Sequence, residues 1–134
     1  MAEQAEDLVL ASLATRTANY TQEFAWLDAK ALMTIRVPNA PAASPTITPS
    51  LEAYDPASSE WFTIFTAAAS QSPTGTSSRY TYVLTDTAFL PSGFTESKQV
   101  YLHPKMRLKI THADADAVDY TVMFLRVNSN NLGI

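Results

Sequence analysis

The sequence predicts an all-β protein, an antiparallel β-sandwich or jelly-roll-like small barrel of about seven or eight strands. Short stretches alternate apolar with polar residues, which is the spacing of a half-buried strand. Turn-forming Pro, Asp and Ser separate these stretches at intervals typical of a sandwich. The chain also contains sixteen threonines, a residue that favours strands.

The clearest pattern lies in residues 105–127. Met106, Leu108 and Ile110 alternate with charged residues, so one face of this strand is apolar and the other is wet. An Asp-rich segment, residues 112–117, precedes a second run rich in β-branched and aromatic residues. We predict that the two runs pair as an antiparallel hairpin with one buried face.

The same criteria predict the remaining strands at residues 18–21, 30–37, 46–54, 61–67, 80–85 and 99–102. Residues 8–15 are apolar but too short to distinguish a strand from a helical turn. In residues 30–37 the alternation sets Met33 and Ile35 on one face, against Thr34 and Arg36 on the other.

Proline and aspartate mark two further features of the predicted strands. Pro49 falls inside one of them, which indicates an edge strand or a bulge. Asp55 followed by Pro56 is typical of a type I turn, and it separates two predicted strands that form a hairpin.

The chain of 134 residues suits one domain. We expect an N-terminal arm at residues 1–9, a single β-sandwich domain at 10–127 and a C-terminal tail at 128–134. The opening residues are acidic where a secretion signal is positively charged, and the apolar run that follows is too short to cross a bilayer. Synthesis in a cytoplasm, without a membrane partner, is the expectation.

The charge balance bears on the class of partner. The net charge is −4, and charged residues make up 16% of the chain, below the usual quarter. A weakly charged surface rich in hydroxyl groups suits packing against other proteins. It argues against nucleic acid, because phosphate binding needs clustered Lys and Arg.

One polar cluster, His112 with Asp114, Asp116 and Asp119, has the residue types of a metal site. Calcium needs six to eight oxygen ligands, and the glycine and distal glutamate of an EF-hand loop are missing. A solvated turn in which aspartates bond the local backbone is the favoured interpretation. Calcium binding stays open.

No catalytic, cofactor-binding or metal-binding residue is predicted. The chain lacks cysteine, and His103 and His112 alone do not make a zinc site. The three glycines form no phosphate-binding loop, and no Gly-x-Ser-x-Gly motif occurs. A Ser–His–Asp triad stays open, because its members meet in space and not in sequence.

Four apolar residues are candidates for a partner interface, namely Trp26, Phe89, Leu90 and Phe94. Trp26 stands outside any clear strand. The other three lie in residues 86–98, a connection long enough to be functional. The alternative is that this connection caps the domain's own core.

Aromatic residues also raise a second class of function, carbohydrate binding. Trp26 and Tyr54 would serve as a sugar platform if exposed in a shallow groove. Trp61, Tyr80 and Tyr82 are explained instead by an aromatic-rich sandwich core.

Three segments carry a family resemblance. Residues 10–21 contain Thr-Arg-Thr-Ala, residues 52–62 contain Asp-Pro-Ala-Ser, and residues 108–122 contain Thr-His-Ala-Asp. With these motifs in this order, the chain resembles small structural proteins of tailed bacteriophages and prophages. Residues 38–45 and 86–98 depart from the family pattern.

The resemblance implies a non-enzymatic virion component, most simply a capsid decoration or cement protein. Such a protein would bind the major capsid protein on the outside of the shell and bridge capsomers, commonly as a homotrimer. Its location would be the capsid surface of the virion. The alternatives are a tail, neck or fibre component, and a carbohydrate-binding β-sandwich module.

Overall fold

The computed structural model describes residues 7–87 and 90–127. These residues form two β-sheets packed face to face, which confirms the predicted all-β sandwich. The described strands are β1 (Leu8–Arg16), β2 (Tyr20–Ala25), β3 (Ala31–Val37), β4 (Ile47–Asp55), β5 (Glu60–Thr66), β6 (Ser78–Thr85), β7 (Glu96–Gln99), β8 (Lys105–His112) and β9 (Val118–Leu125). Within these ranges there is no helix that is long and apolar enough to span a membrane.

One sheet has five strands in the order β1-β9-β3-β6-β7, and the other has four in the order β2-β8-β4-β5. Neighbouring strands are antiparallel except β6 and β7, which are parallel. Glu96–Gln99 replaces the strand predicted at 99–102. The described residues form nine strands, slightly more than expected.

The core lies between the sheets and is built by alternation along β3, β4, β8 and β9. Every second residue of these strands points inward, as the period-two pattern predicts. The largest fully buried side chains are Tyr82, Tyr120, Phe65, Phe124, Met33, Ile35, Ile47, Leu51, Leu84, Met106, Leu108 and Ile110.

The prediction of a hairpin within residues 105–127 is wrong. β8 pairs with β2 and β4, whereas β9 pairs with β1 and β3, so the chain crosses from one sheet to the other. Both runs alternate as expected because each buries one face, but the two faces meet across the sandwich. Backbone N–H groups fix the crossing, since Ala113 donates to the Thr46 carbonyl (3.0 Å) and His112 to the Asn19 side chain (2.7 Å).

β1 settles the ambiguity at the N-terminus in favour of a strand. It begins at Leu8, so the last two residues of the predicted arm belong to the strand, while residues 1–6 and 128–134 lie outside the described residues. Two irregularities interrupt its pairing with β9. A bulge adds a residue to one strand and locally disrupts the ladder. Val9, which is paired with Met123, and Leu13 both lie on the surface.

Pro49 lies in β4 between β8 and β5, so the edge-strand alternative is wrong. The pairing of β4 with β5 does contain a bulge nearby, where Leu51 faces Phe65 and the next residue, Glu52, faces Thr63. The carbonyl of Pro49 stays in use, accepting the Ala67 N–H at 3.0 Å.

Candidate functional site

Trp26 is buried, and the prediction that it is an exposed interface residue is wrong. Its side chain is 2% exposed, and its indole N–H donates to the Lys30 carbonyl at 3.1 Å. The ring meets Phe124 edge-on, with centroids 4.8 Å apart. Trp26 completes the core because its one polar atom finds a partner there. It also cannot serve as a sugar platform.

The connection between β6 and β7 holds the other three predicted interface residues. Leu90 is 42% exposed and Phe94 is half-buried, while Phe89 lies outside the described residues. The connection is bonded to β6, where the Thr95 N–H donates to the Thr81 carbonyl at 2.9 Å. A partner contact through this connection stays a prediction.

The Asp-rich segment between β8 and β9 is held by local hydrogen bonds. Asp114 accepts from the Asp116 N–H at 3.1 Å. Asp119 accepts from the Thr15 hydroxyl and from the Asn39 amide, and these bonds lower the pKa of Asp119. In residues 7–87 and 90–127, no group of three His, Cys, Asp or Glu side chains converges in the manner of a metal site.

The two histidines engage different partners. His103 Nδ1 lies 2.8 Å from the Tyr101 carbonyl oxygen, and His112 Nε2 lies 2.9 Å from the Tyr120 hydroxyl. Among the described residues neither ring is hydrogen-bonded to a serine. The triad that the sequence left open therefore does not assemble around these bonds.

Four residues close one end of the sandwich, Arg16, Tyr20, His112 and Tyr120, here called the Arg16 cluster. The guanidinium of Arg16 lies 4.5 Å from the ring centroid of Tyr20 and 4.8 Å from that of Tyr120. It also donates to three carbonyl oxygens, one of them in β9. Since these residues come from β1 and β9 of one sheet and β2 and β8 of the other, the cluster fastens the two sheets together.

Burial sets the acid–base behaviour of the Arg16 cluster. It raises the pKa of Tyr120, which the positive charge of Arg16 partly opposes. It lowers the pKa of His112 below the ordinary value of 6.5, with Asp114 opposing and Arg16 reinforcing the change. Both shifts keep the cluster neutral apart from Arg16.

The outer face of the four-stranded sheet carries five residues that form an aromatic patch, Glu52, Tyr54, Trp61, Lys105 and Arg107. Tyr54 faces Trp61 across β4 and β5, with ring centroids 5.2 Å apart. The Lys105 ammonium lies 4.2 Å from the Tyr54 centroid, and the Arg107 guanidinium 4.4 Å from the Trp61 centroid. Arg107 also bonds Glu52 through Nη2 at 2.7 Å. Every charge in the patch therefore has a partner within it.

Trp61 lies outside the core in which the sequence placed it. Tyr82 is fully buried as expected, and Tyr80 packs against the core from a half-buried position. The difference comes from the bulge in β5, because the extra residue Ile64 reverses the alternation. Phe65 points inward, and Trp61 on the far side of the bulge points outward.

The outer face of the five-stranded sheet carries a groove of about 520 Å³, here called the arginine groove. Its lining residues are Val9, Ser12, Leu13, Thr34, Arg36, Arg79, Thr121, Met123 and Leu125. Val9 and Leu13 are 62% and 55% exposed. Together with Met123 and Leu125 they give the groove an aliphatic part.

Two arginines form the other part of the arginine groove. Arg36 on β3 lies directly opposite Arg79 on β6, and both are exposed. Neither takes part in an ion pair with a described residue. The ion pair found among the described residues joins Arg107 to Glu52 on the four-stranded sheet. Like charges directly opposite each other in a sheet are destabilising. The groove thus combines aliphatic surface with positive charge that the described residues leave unneutralised.

The arginine groove is not predicted by the sequence. The alternation in residues 30–37 correctly sets Thr34 and Arg36 on the outer side of their strand, which supplies one row of the groove. The remaining rows come from β1, β6 and β9. Their position beside β3 depends on strand order, for which the sequence carries no local signal.

The chain is similar in fold to part of a solved structure. No protein-family model matches the chain, and no curated protein matches it. The solved structure of the CBM22-1 and GH10 modules of xylanase 10B from Clostridium thermocellum, complexed with xylohexaose, is 13% identical. The match covers 81% of this chain and 19% of that one, with a TM-score of 0.47. At this distance no function is inferred from it.

Proposed function

We propose that this protein is a non-enzymatic structural component of a tailed-bacteriophage virion, a decoration or cement protein on the outside of the capsid. Its partner is the major capsid protein. The protein bridges neighbouring capsomers and makes the shell more resistant to heat and internal pressure.

The observation that carries this proposal is where the resembling segments lie in the fold. Residues 10–21 and 108–122 supply all four members of the Arg16 cluster, which joins the sheets at one end. Residues 52–62 supply the hairpin of β4 and β5, including Glu52, Tyr54 and Trp61 of the aromatic patch. The resembling segments therefore include side-chain contacts that join the two sheets, and this supports the proposal.

The surface supports a role in protein contact. Val9 and Leu13 are more than half exposed on the outer face of the five-stranded sheet, and the charged fraction of the chain is low. A patch of exposed aliphatic side chains next to polar residues is typical of a protein interaction site. On a symmetric shell, a modest contact repeated at every capsomer adds up to a large effect.

The symmetry of such a shell gives the expected assembly. A decoration protein that bridges capsomers at a threefold position binds as a homotrimer, and each subunit then offers the same surface to the shell.

Addition of the purified protein to capsids that lack it tests the proposal. The protein should co-sediment with the shells and raise their melting temperature, because a ligand of the assembled state stabilises that state. Absence of both effects would contradict a role on the capsid.

A tail, neck or fibre location is the rival within the same class. Quantitative mass spectrometry of intact virions distinguishes them, since a shell protein is present in hundreds of copies and a neck or tail protein in about six or twelve. The second number would replace the capsid proposal by this rival.

A carbohydrate-binding module is a second candidate, favoured by the half-buried pair Tyr54 and Trp61 on an outer face. Sugars stack on free aromatic faces, but here the ammonium of Lys105 and the guanidinium of Arg107 lie over these two rings. A glycan array probed with the native protein and with Trp61→Ala decides the matter. Binding that the substitution abolishes would establish this candidate.

A further inference from the structure

We propose that the arginine groove receives an extended acidic and aliphatic segment of the major capsid protein, with a carboxylate of that segment bound between Arg36 and Arg79. This inference rests on the proposed function, and it names the surface and the chemistry of the contact.

The charges of the groove select an anionic occupant. Arg36 and Arg79 lie opposite each other with no ion pair among the described residues, in a chain whose net charge is −4. The carboxylate on the same face, Asp119, is already hydrogen-bonded by Thr15 and Asn39. A carboxylate from another molecule would neutralise the arginine pair, and guanidinium groups match carboxylate geometry with two parallel hydrogen bonds.

The aliphatic part of the groove selects a polypeptide. Met123 is opposite Val9 on one side and Thr34 on the other, one row away from the row of Thr121 and Arg36. A phosphate backbone would leave this aliphatic surface uncovered. A peptide that carries both a carboxylate and aliphatic side chains covers both parts.

The spacing indicates the form of that peptide. Thr121, Met123 and Leu125 are alternate residues of β9 and mark three successive rows, which places the rows about 7 Å apart. An extended segment repeats its side chains on one face at the same interval. The matching segment of the partner therefore carries an acidic residue, with aliphatic residues two and four positions away from it on one side.

Charge reversal at one arginine tests the inference with two readouts. Arg79→Glu sets a glutamate opposite Arg36, so the isolated protein should melt at the same or a higher temperature. The same change should weaken binding to undecorated capsids at least about tenfold, because it removes one donor and repels the incoming carboxylate. Arg36→Glu should reproduce both effects.

Lys109→Glu is the matched control. Lys109 lies on β8, in the other sheet, and its replacement changes the net charge of the chain by the same amount. It should leave binding to the capsids within about twofold of the native protein. Equal weakening by Lys109→Glu and Arg79→Glu would point to overall charge and overturn the inference.

Other outcomes separate failure of the inference from failure of the proposed function. If the native protein does not bind the capsids, the proposed function is contradicted. If native protein and Arg79→Glu bind the capsids equally tightly, the proposed function stands and only the inference about the arginine groove is overturned. If the groove instead holds a second copy of this chain, sedimentation will show an oligomer that Arg79→Glu dissociates while capsid binding persists, and the inference is overturned. Arg79→Gln provides the same comparison should the glutamate variant not fold.

Discussion

The two outer faces of the sandwich both carry basic side chains, but these side chains have partners on one face and form no ion pair with a described residue on the other. On the four-stranded sheet, Arg107 meets both Glu52 and Trp61, and Lys105 meets Tyr54. On the five-stranded sheet, Arg36 and Arg79 lie opposite each other, and neither forms an ion pair with a described residue. The first arrangement stabilises the isolated domain. The second leaves two positive charges without an ion pair among the described residues, and this difference underlies the proposal that the arginine groove binds another molecule.

Replacement of one apolar residue on each face gives the largest contrast. Trp61→Ala removes contacts with Tyr54 and Arg107 and should lower the free energy of unfolding by about 2 kcal/mol. Leu13→Ala removes a side chain that is 55% exposed and should change it by less than about 0.5 kcal/mol. Urea denaturation measures both values.

Capsid binding by the same two variants should show the reverse order. Leu13 lines the arginine groove, so Leu13→Ala should bind capsids more weakly, whereas folded Trp61→Ala should bind as the native protein does. If Trp61→Ala proves the weaker binder, the roles assigned to the two faces are exchanged.

The arginines of the two faces provide the second contrast, with a smaller effect. Arg107→Ala removes an ion pair with Glu52, whose side chain is 12% exposed, and a cation–π contact with Trp61. It should cost about 1 kcal/mol of stability. Arg36→Ala relieves like-charge repulsion and should leave stability unchanged within about 0.5 kcal/mol, or raise it. Thermal unfolding of both variants in one buffer checks the difference, and equal losses would contradict it.

The smallest effect concerns the Arg16 cluster, which holds the two sheets together. The pKa of His112 is lowered in the folded state by burial, so the unfolded chain takes up a proton more readily. The stability linked to His112 is therefore present above pH 6.5 and is lost as the pH falls through the lower folded value.

A pH series of melting temperatures for the native protein and His112→Gln isolates this contribution. The native protein should lose more stability than the variant between pH 7.5 and 5. Carboxylates such as Asp119 titrate in both proteins and at lower pH, so they cancel in the comparison. Parallel curves would show that His112 does not titrate across this interval.

The sequence identified the inward-facing residues with little error, because alternation along a strand is a local property. Met106, Leu108 and Ile110 are all fully buried. The predictions that Trp26 is exposed and that Trp61 lies in the core are wrong for local reasons, which the alternation of apolar and polar residues does not reveal. Trp26 satisfies its indole N–H with the Lys30 carbonyl, and Trp61 lies beyond a bulge that reverses the alternation of β5.

By itself the sequence determined an all-β architecture, a sandwich or a small barrel, and which side of several strands is buried, since period-two alternation and turn residues act within a few positions of the chain. Only the tertiary structure decided that β8 and β9 belong to different sheets, and that Arg36 lies opposite Arg79. Strand order joins residues that are far apart in the chain. It is fixed by the packing of one sheet on the other, and the arginine groove exists only as a consequence of it.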